Sequence, residues 1–198
     1  ILLYDVSSAD SSKTFSVWHE QNLEPLWVNA GSDLNSPLHC FRDGSCLIAS
    51  EEVNGFAHLY RLTPDKRLIP LTSGAWQVDV TVKWTQSLLN IWVDEKRDVV
   101  YFLGRKKSPL ETHLYAASTR NTMQEGPCSE CVALTQDDVS YGFQLSPDRT
   151  FAVATFSSLS KPPVSRLYRV EPGSLHAAAT LQEVKGNPAF RPPVPFTI

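Results

Sequence analysis

Ala49-Ser50-Glu51-Glu52-Val53-Asn54-Gly55-Phe56-Ala57-His58-Leu59-Tyr60-Arg61-Leu62 is the stretch from which the fold is read. Short apolar runs flank an Asn-Gly pair. Both central residues of a type I′ turn need positive φ, and Asn and Gly adopt it at least cost. The stretch predicts two antiparallel strands joined by a tight turn.

Its second strand recurs. His58-Leu59-Tyr60-Arg61-Leu62 returns as His113-Leu114-Tyr115-Ala116-Ala117 and as Arg166-Leu167-Tyr168-Arg169-Val170, with Leu2-Leu3-Tyr4-Asp5-Val6 as an earlier copy. From Tyr to Tyr the spacings are 56, 55 and 53 residues. Polar turns keep the same period: Asp43 to Glu95 is 52 residues and Glu95 to Asp148 is 53. A period near the ~40 to 50 residues of a propeller blade signals tandem copies of one supersecondary unit.

Each later repeat has the same order of parts. A turn leads into an apolar strand, such as Cys46-Leu47-Ile48-Ala49 or Val99-Val100-Tyr101-Phe102-Leu103. A hairpin loop, the Leu-Tyr strand and a more polar outer strand follow, the last exemplified by 67–72 and 131–135. Four antiparallel strands repeated in tandem make a β-propeller, whose radial closure protects sheet edges. No stretch holds helical periodicity without a Pro, Gly or β-branched interruption, which argues against a helical solenoid. A β-sandwich would leave the even period unexplained.

The expected organisation is therefore all-β, with about three and a half blades over 1–186: a half blade at 1–30 and blades at about 37–76, 88–136 and 141–185. Residues 187–198 carry four prolines and read as a stiff connector that cannot join a central strand. The chain opens on Ile1-Leu2-Leu3-Tyr4, already in a strand pattern, and closes on Phe196-Thr197-Ile198 as another begins, so it is expected to be a piece of a longer parent. With 198 residues, 42% hydrophobic and 20% charged, it has ordinary globular composition. A net charge of -3 leaves no electrostatic footprint for nucleic acid, and no apolar run is long enough to cross a bilayer as a helix.

Residues 49–62 together with Leu71-Thr72-Ser73-Gly74-Ala75-Trp76-Gln77-Val78 resemble the late propeller blades of the dipeptidyl peptidase IV family. So do Val93-Asp94-Glu95, Val100-Tyr101-Phe102-Leu103-Gly104 and Ser108-Pro109-Leu110-Glu111-Thr112-His113-Leu114-Tyr115, the last most similar to the cytosolic branch of dipeptidyl peptidases 8 and 9. The likeness covers roughly 40–170 in one order. It implies a parent serine exopeptidase that removes N-terminal dipeptides with penultimate Pro or Ala. In such a parent the propeller stands over an α/β-hydrolase domain that carries the Ser, Asp and His. The resemblance further implies peptide substrates reaching a central cavity, that hydrolase domain as a partner in cis, a homodimeric parent, and no cofactor or metal. The alternative is a stand-alone propeller used as a protein-interaction scaffold.

No catalytic, substrate-binding or metal-binding residue is assigned to this chain. Glu51-Glu52 is similar to the family's paired carboxylates for a substrate amine, but it lies between a strand and a turn instead of in a Tyr-Glu-Glu context, and neighbouring strand side chains point to opposite faces. It reads as a solvated hairpin tip. Asp138-Val139-Ser140-Tyr141-Gly142-Phe143 is similar to the nucleophile elbow Gly-Trp-Ser-Tyr-Gly-Gly, yet Asp138 and Phe143 stand where the strained turn needs small residues, so Ser140 reads as no nucleophile. The segment 27–37 resembles in place a family loop that contributes an Arg or an aromatic side chain, and with no Arg between Ile1 and Phe41 that role is carried onto no residue. It reads as a connection between blades.

His58 and His113 recur at one position of the repeat and read as packing, and His19, His39 and His176 are scattered. Cys40 and Cys46 flank a turn at a spacing wrong for a zinc knuckle. Cys128-Ser129-Glu130-Cys131 is a C-x-x-C outside any thioredoxin-like context. The family resemblance implies a bridge there in extracellular members. No Asn-x-Ser/Thr sequon with a permitted middle residue occurs, so a cytoplasmic location with free thiols at Cys128 and Cys131 is expected.

Overall fold

The structure is a computed structural model that describes residues 2–5, 16–20, 38–51, 53, 55–80, 90–120, 131–187 and 191–193. Among them every regular element is a strand. A short antiparallel pair, β1 (Leu2–Asp5) and β2 (Ser16–Glu20), comes first. Three four-stranded antiparallel sheets follow. The first holds β3 (His39–Cys40), β4 (Cys46–Ser50), β5 (His58–Leu62) and β6 (Leu68–Pro70). The second holds β7 (Ile91–Asp94), β8 (Val99–Ser108), β9 (Glu111–Ser118) and β10 (Val132–Ala133). The third holds β11 (Ser140–Leu145), β12 (Phe151–Ser157), β13 (Val164–Glu171) and β14 (Ser174–Glu183). In each sheet the spatial order is the chain order, which is the meander of a propeller blade. The fold is a partial β-propeller.

The cores lie between the blades. Leu47, Ala49 and Leu59 of the first sheet, with Leu71 just beyond β6, meet Val100, Phe102, Tyr115 and Ala117 of the second. Trp92, Tyr101, Leu103 and Leu114 of the second meet Tyr141, Phe143, Ala152, Ala154 and Tyr168 of the third. Covering one such Leu or Phe side chain contributes about 1.5–3 kcal/mol, so the seams hold the array together. Burial explains the sequence pattern as well. β4 is buried on both faces throughout, whereas β12 alternates, with Phe151, Val153 and Thr155 exposed and Ala152 and Ala154 covered. The apolar run marks a sheet packed on both faces and the alternation marks one packed on a single face.

Asn54 of the Asn54-Gly55 turn lies outside the described residues, and the two antiparallel strands expected on either side are present. β4 stops at Ser50 and β5 starts at His58, and the Gly55 N–H, at φ +82°, donates back to the Glu51 carbonyl at 2.8 Å. Just before β5 the Ala57 carbonyl accepts from the Val78 N–H at 2.8 Å, tying the loop to the crossover into the next blade. Glu52 and Asn54 lie outside the described residues, and Glu51 is half-buried. In the connector, Arg191, Pro192 and Pro193 are exposed and irregular, and 188–190 and 194–198 lie outside the described residues.

The period-keeping turns share a mechanism. Asp43 Oδ1 accepts from the Ser45 N–H (3.0 Å) and hydroxyl (2.6 Å), and these two bonds, ahead of Arg61, hold its carboxyl below the usual range. Asp148 accepts from the Ser146 and Thr150 hydroxyls and from the Thr150 N–H, which depress its pKa to about 2. Gly44 and Arg149 occupy left-handed backbone at φ +80° and +58°. Short Asp and Ser side chains stand in for backbone partners in such turns.

Candidate functional site

At the loop end shared by β5 and β9, the two recurring histidines share one Thr-bonded arrangement and differ in the partner of Nε2. His58 Nδ1 lies 2.9 Å from Thr72 Oγ1 and His58 Nε2 lies 3.0 Å from the Gly74 carbonyl oxygen, while the Leu59 N–H donates to Thr72 Oγ1 at 2.9 Å. A carbonyl only accepts, so Nε2 carries the proton and Nδ1 accepts from the Thr hydroxyl. His113 repeats this with Thr135 Oγ1 at 3.1 Å, the Leu114 N–H donating to that oxygen at 3.1 Å, and Glu111 Oε2 at 3.2 Å in place of the carbonyl. Both rings are fully buried. Burial pushes the His58 pKa down against the opposing pull of the Gly74 carbonyl. A neutral, doubly hydrogen-bonded imidazole here is a clamp that ties the strand-four end of a blade to strand three. Thr72 and Thr135 lie just beyond β6 and β10, and their side-chain oxygens accept the Leu59 and Leu114 N–H groups of strand three.

Around the clamps lies an aromatic and charged layer. Trp76 stands edge-on to His58 with ring centroids 5.0 Å apart, and its indole N–H donates to the Ser73 carbonyl at 2.7 Å. Trp76, Phe102 and Tyr115 stack at 5.8–6.3 Å. A Cβ at Gly104 would come within 3.1 Å of the Trp76 ring, so glycine lets the indole lie on β8. Lys107 Nζ reaches Asp138 Oδ1 (2.8 Å), the Gln136 and Asp137 carbonyls (2.9 and 3.1 Å) and Glu111 Oε2 (3.2 Å), joining the second blade to the crossover into the third. Burial alone would raise the Glu111 pKa, but its bonds with His113 and Lys107 outweigh that and lower it. Burial, then Tyr168 and Asp137, push the Tyr141 phenol far up.

At the opposite loop end, Arg61 closes the first seam. Its Nε donates to Ser45 Oγ (2.8 Å), Nη1 to the Thr119 carbonyl (2.6 Å) and Nη2 to Asp43 Oδ2 (2.5 Å), and its guanidinium lies over Phe41. His39 with Glu95 (2.7 Å) and Arg120 with Asp98 (2.8 Å) flank it around a space of about 210 Å³. Both arginines of this group are paired with an Asp, and Arg61 also reaches the Thr119 carbonyl of the next blade, so the seam joins blades.

Ser140 opens β11 opposite Ser157, and its hydroxyl accepts from the Thr112 N–H at 3.2 Å. It sits in a regular strand register, not in a strand-to-helix turn. Cys40 and Cys46 form a disulfide because β3 and β4 place them directly opposite one another. The sequence reading excluded zinc for this pair but did not pair it. Cys131 is buried, and Cys128 lies outside the described residues, as does the segment 27–37. Among the described residues no group of three or more His, Cys, Asp or Glu side chains is arranged to hold a metal ion. The Lys107 and Arg61 networks were missed in sequence, where a lone Lys or Arg in a strand carries no signal of its carbonyl partners. The recurring Leu-Thr dipeptide at 71–72 and 134–135 was the readable trace of the clamps.

The family described as "Dipeptidyl peptidase IV (DPP IV) N-terminal region" matches residues 3–163, through β12 and up to the start of β13. The chain belongs to this family. It is 29% identical to dipeptidyl peptidase 8 of Mus musculus over 97% of its own length and 24% of that protein's. It is 28% identical to dipeptidyl peptidase 8 of Homo sapiens over 83% of the chain and 20% of the relative. A probable dipeptidyl peptidase 4 of Emericella nidulans is 28% identical over 69% of the chain and 15% of the relative. The chain thus spans about a quarter or less of the length of these relatives. No helix among the described residues is long and apolar enough to cross a membrane.

Proposed function

We propose that this chain is the substrate-gating and positioning part of a serine dipeptidyl peptidase that removes N-terminal dipeptides with penultimate Pro or Ala. The observation that carries the reading is the family match over residues 3–163, together with inter-blade seams whose polar groups are engaged with one another. Such a wall is rigid by construction, which suits limiting what enters a cavity and presenting it to a nucleophile held elsewhere. The Ser, Asp and His of the reaction belong to an α/β-hydrolase domain in cis, and the parent is a homodimer. Residues 1–186 form the blades, 187–198 lead toward that domain, and the chain itself contributes no catalytic, substrate-binding or metal-binding residue.

A Gly-Pro chromogenic substrate tests this. The parent protein is expected to release the dipeptide and the 198-residue chain to release none. Cleavage by the chain alone, abolished by Ser140→Ala, would overturn the assignment. The competing scaffold reading fails if the parent carries a Gly-x-Ser-x-Gly elbow after the propeller.

We place the parent in the cytoplasm on its resemblance to the cytosolic branch. The Cys40–Cys46 disulfide favours a second placement, an oxidising compartment, because such bonds persist there and are rare in the cytosol. Thiol alkylation of the protein directly from cells separates the two: labelled Cys40 and Cys46 support the cytoplasm, and protected ones the alternative.

A further inference from the structure

The third blade has a feature that the gating role leaves unused. The β12–β13 loop and the segment leaving β14 enclose a cleft of about 760 Å³, within the size range of ligand pockets. Lys161, Lys185 and Arg191 line it, and no carboxylate does among the described residues. None of the three cations makes an ion pair with a described side chain, unlike Lys107 and Arg61, which are engaged by several acceptors each. Asp138 feels Lys161 electrostatically, but its carboxylate is taken by Lys107 at 2.8 Å. Between the charges the walls mix Ser157, Ser158, Ser160 and Asn187 with the exposed apolar side chains of Leu159 and Val184, and prolines stiffen both sides. Val184 donates to the Pro163 carbonyl at 3.1 Å, which fixes the cleft's two banks to one another.

From this we propose that the cleft at the open end of the third blade is a docking site for an acidic, extended peptide segment. Its carboxylates would pair with Lys161, Lys185 and Arg191, and its apolar side chains would cover Leu159 and Val184. Charge complementarity carries the choice of occupant. Three cations with no ion-pair partner among the described side chains attract an anion, and a Pro-rich extended segment, already ordered as a polyproline II helix, loses little entropy on binding. A free dipeptidyl substrate, whose recognised feature is a positive α-amine, would be repelled, so the site is separate from the proposed peptidase reading and stands or falls without it.

Fluorescence anisotropy on the full chain tests the site, with a capped, labelled Glu-Pro repeat peptide as probe and its Gln-Pro counterpart as control. The acidic peptide is expected to bind and to weaken as salt rises, and the Gln-Pro peptide to bind at least about tenfold more weakly. The K161Q/K185Q/R191Q variant is expected to lose about tenfold in affinity, from three exposed charge pairs together. All three side chains are exposed and outside the strands, so its far-UV spectrum and melt should match the parent chain's. Equal binding of both peptides, or unchanged affinity in a folded triple variant, would overturn the proposal. So would full competition by inorganic phosphate at the peptide's own concentration, which would mean a simple anion hole.

Discussion

Replacing Thr72 by Val keeps the shape of the first clamp and removes its hydroxyl. Two groups then lose their partner at once: the Leu59 N–H, which donates to Thr72 Oγ1 at 2.9 Å, and His58 Nδ1, which accepts from it at 2.9 Å. Thr72 and the fully buried His58 exclude water from the gap, so no solvent replaces the lost bonds. A buried donor or acceptor stranded in this way costs about 1–3 kcal/mol. The added methyl returns a little through apolar burial, and we expect a net loss of roughly 2–4 kcal/mol, a large share of the ~5–15 kcal/mol of a typical domain. Urea unfolding followed by Trp fluorescence should show the midpoint falling at unchanged slope, the sign of lost stability without a change in the surface exposed. For a chain of this size the melting temperature should drop by roughly 5–15 °C. Thr135→Val should behave alike, because Thr135 serves His113 and the Leu114 N–H in the same way. Thr63→Val is the control: its hydroxyl closes an exposed turn with Arg67, where water can substitute. If Thr72→Val falls within ~0.5 kcal/mol of the parent chain, the ordinary range for surface changes, the clamp contributes nothing and the reasoning fails.

Two further outcomes follow from the same structure. Because burial lowers the His58 pKa from 6.5, the folded state takes up its proton later than the unfolded state, so this contribution to stability is complete above pH ~6.5 and is lost as pH falls toward the folded value. The stability difference between about pH 7 and pH 5 should therefore shrink in His58→Gln, which keeps a donor and an acceptor but cannot charge; an unchanged pH slope would show that His58 does not titrate as argued. The outer face of the third blade exposes Phe151 (41%), Val153 (38%) and Leu181 (55%), a sheet face that invites association. Light scattering should show concentration-dependent self-association of the chain, relieved by F151K/V153K, and a monodisperse parent chain at high concentration would refute this.

The sequence by itself determined the architecture. The Tyr-to-Tyr period and the turns at Asp43, Glu95 and Asp148 required tandem antiparallel units, because turn chemistry and strand alternation are local and act in any context. It also determined that His58 and His113 hold one structural role, since equal places in a repeat meet equal neighbours. Tertiary structure alone decided the rest. The Ala57 carbonyl, just before β5, answers to Val78 of the next crossover, a pairing that no local signal announces. Cys40 and Cys46 became a disulfide only through the β3–β4 register, which spacing does not reveal. Lys107 and Arg61 bind backbone carbonyls from another part of the chain, 29 and 58 residues away for Gln136 and Thr119, and a carbonyl has no letter in the sequence. Period and turn type are properties of neighbouring residues; which groups meet across a seam depends on how two finished sheets pack, and that is fixed only when the blades close on each other.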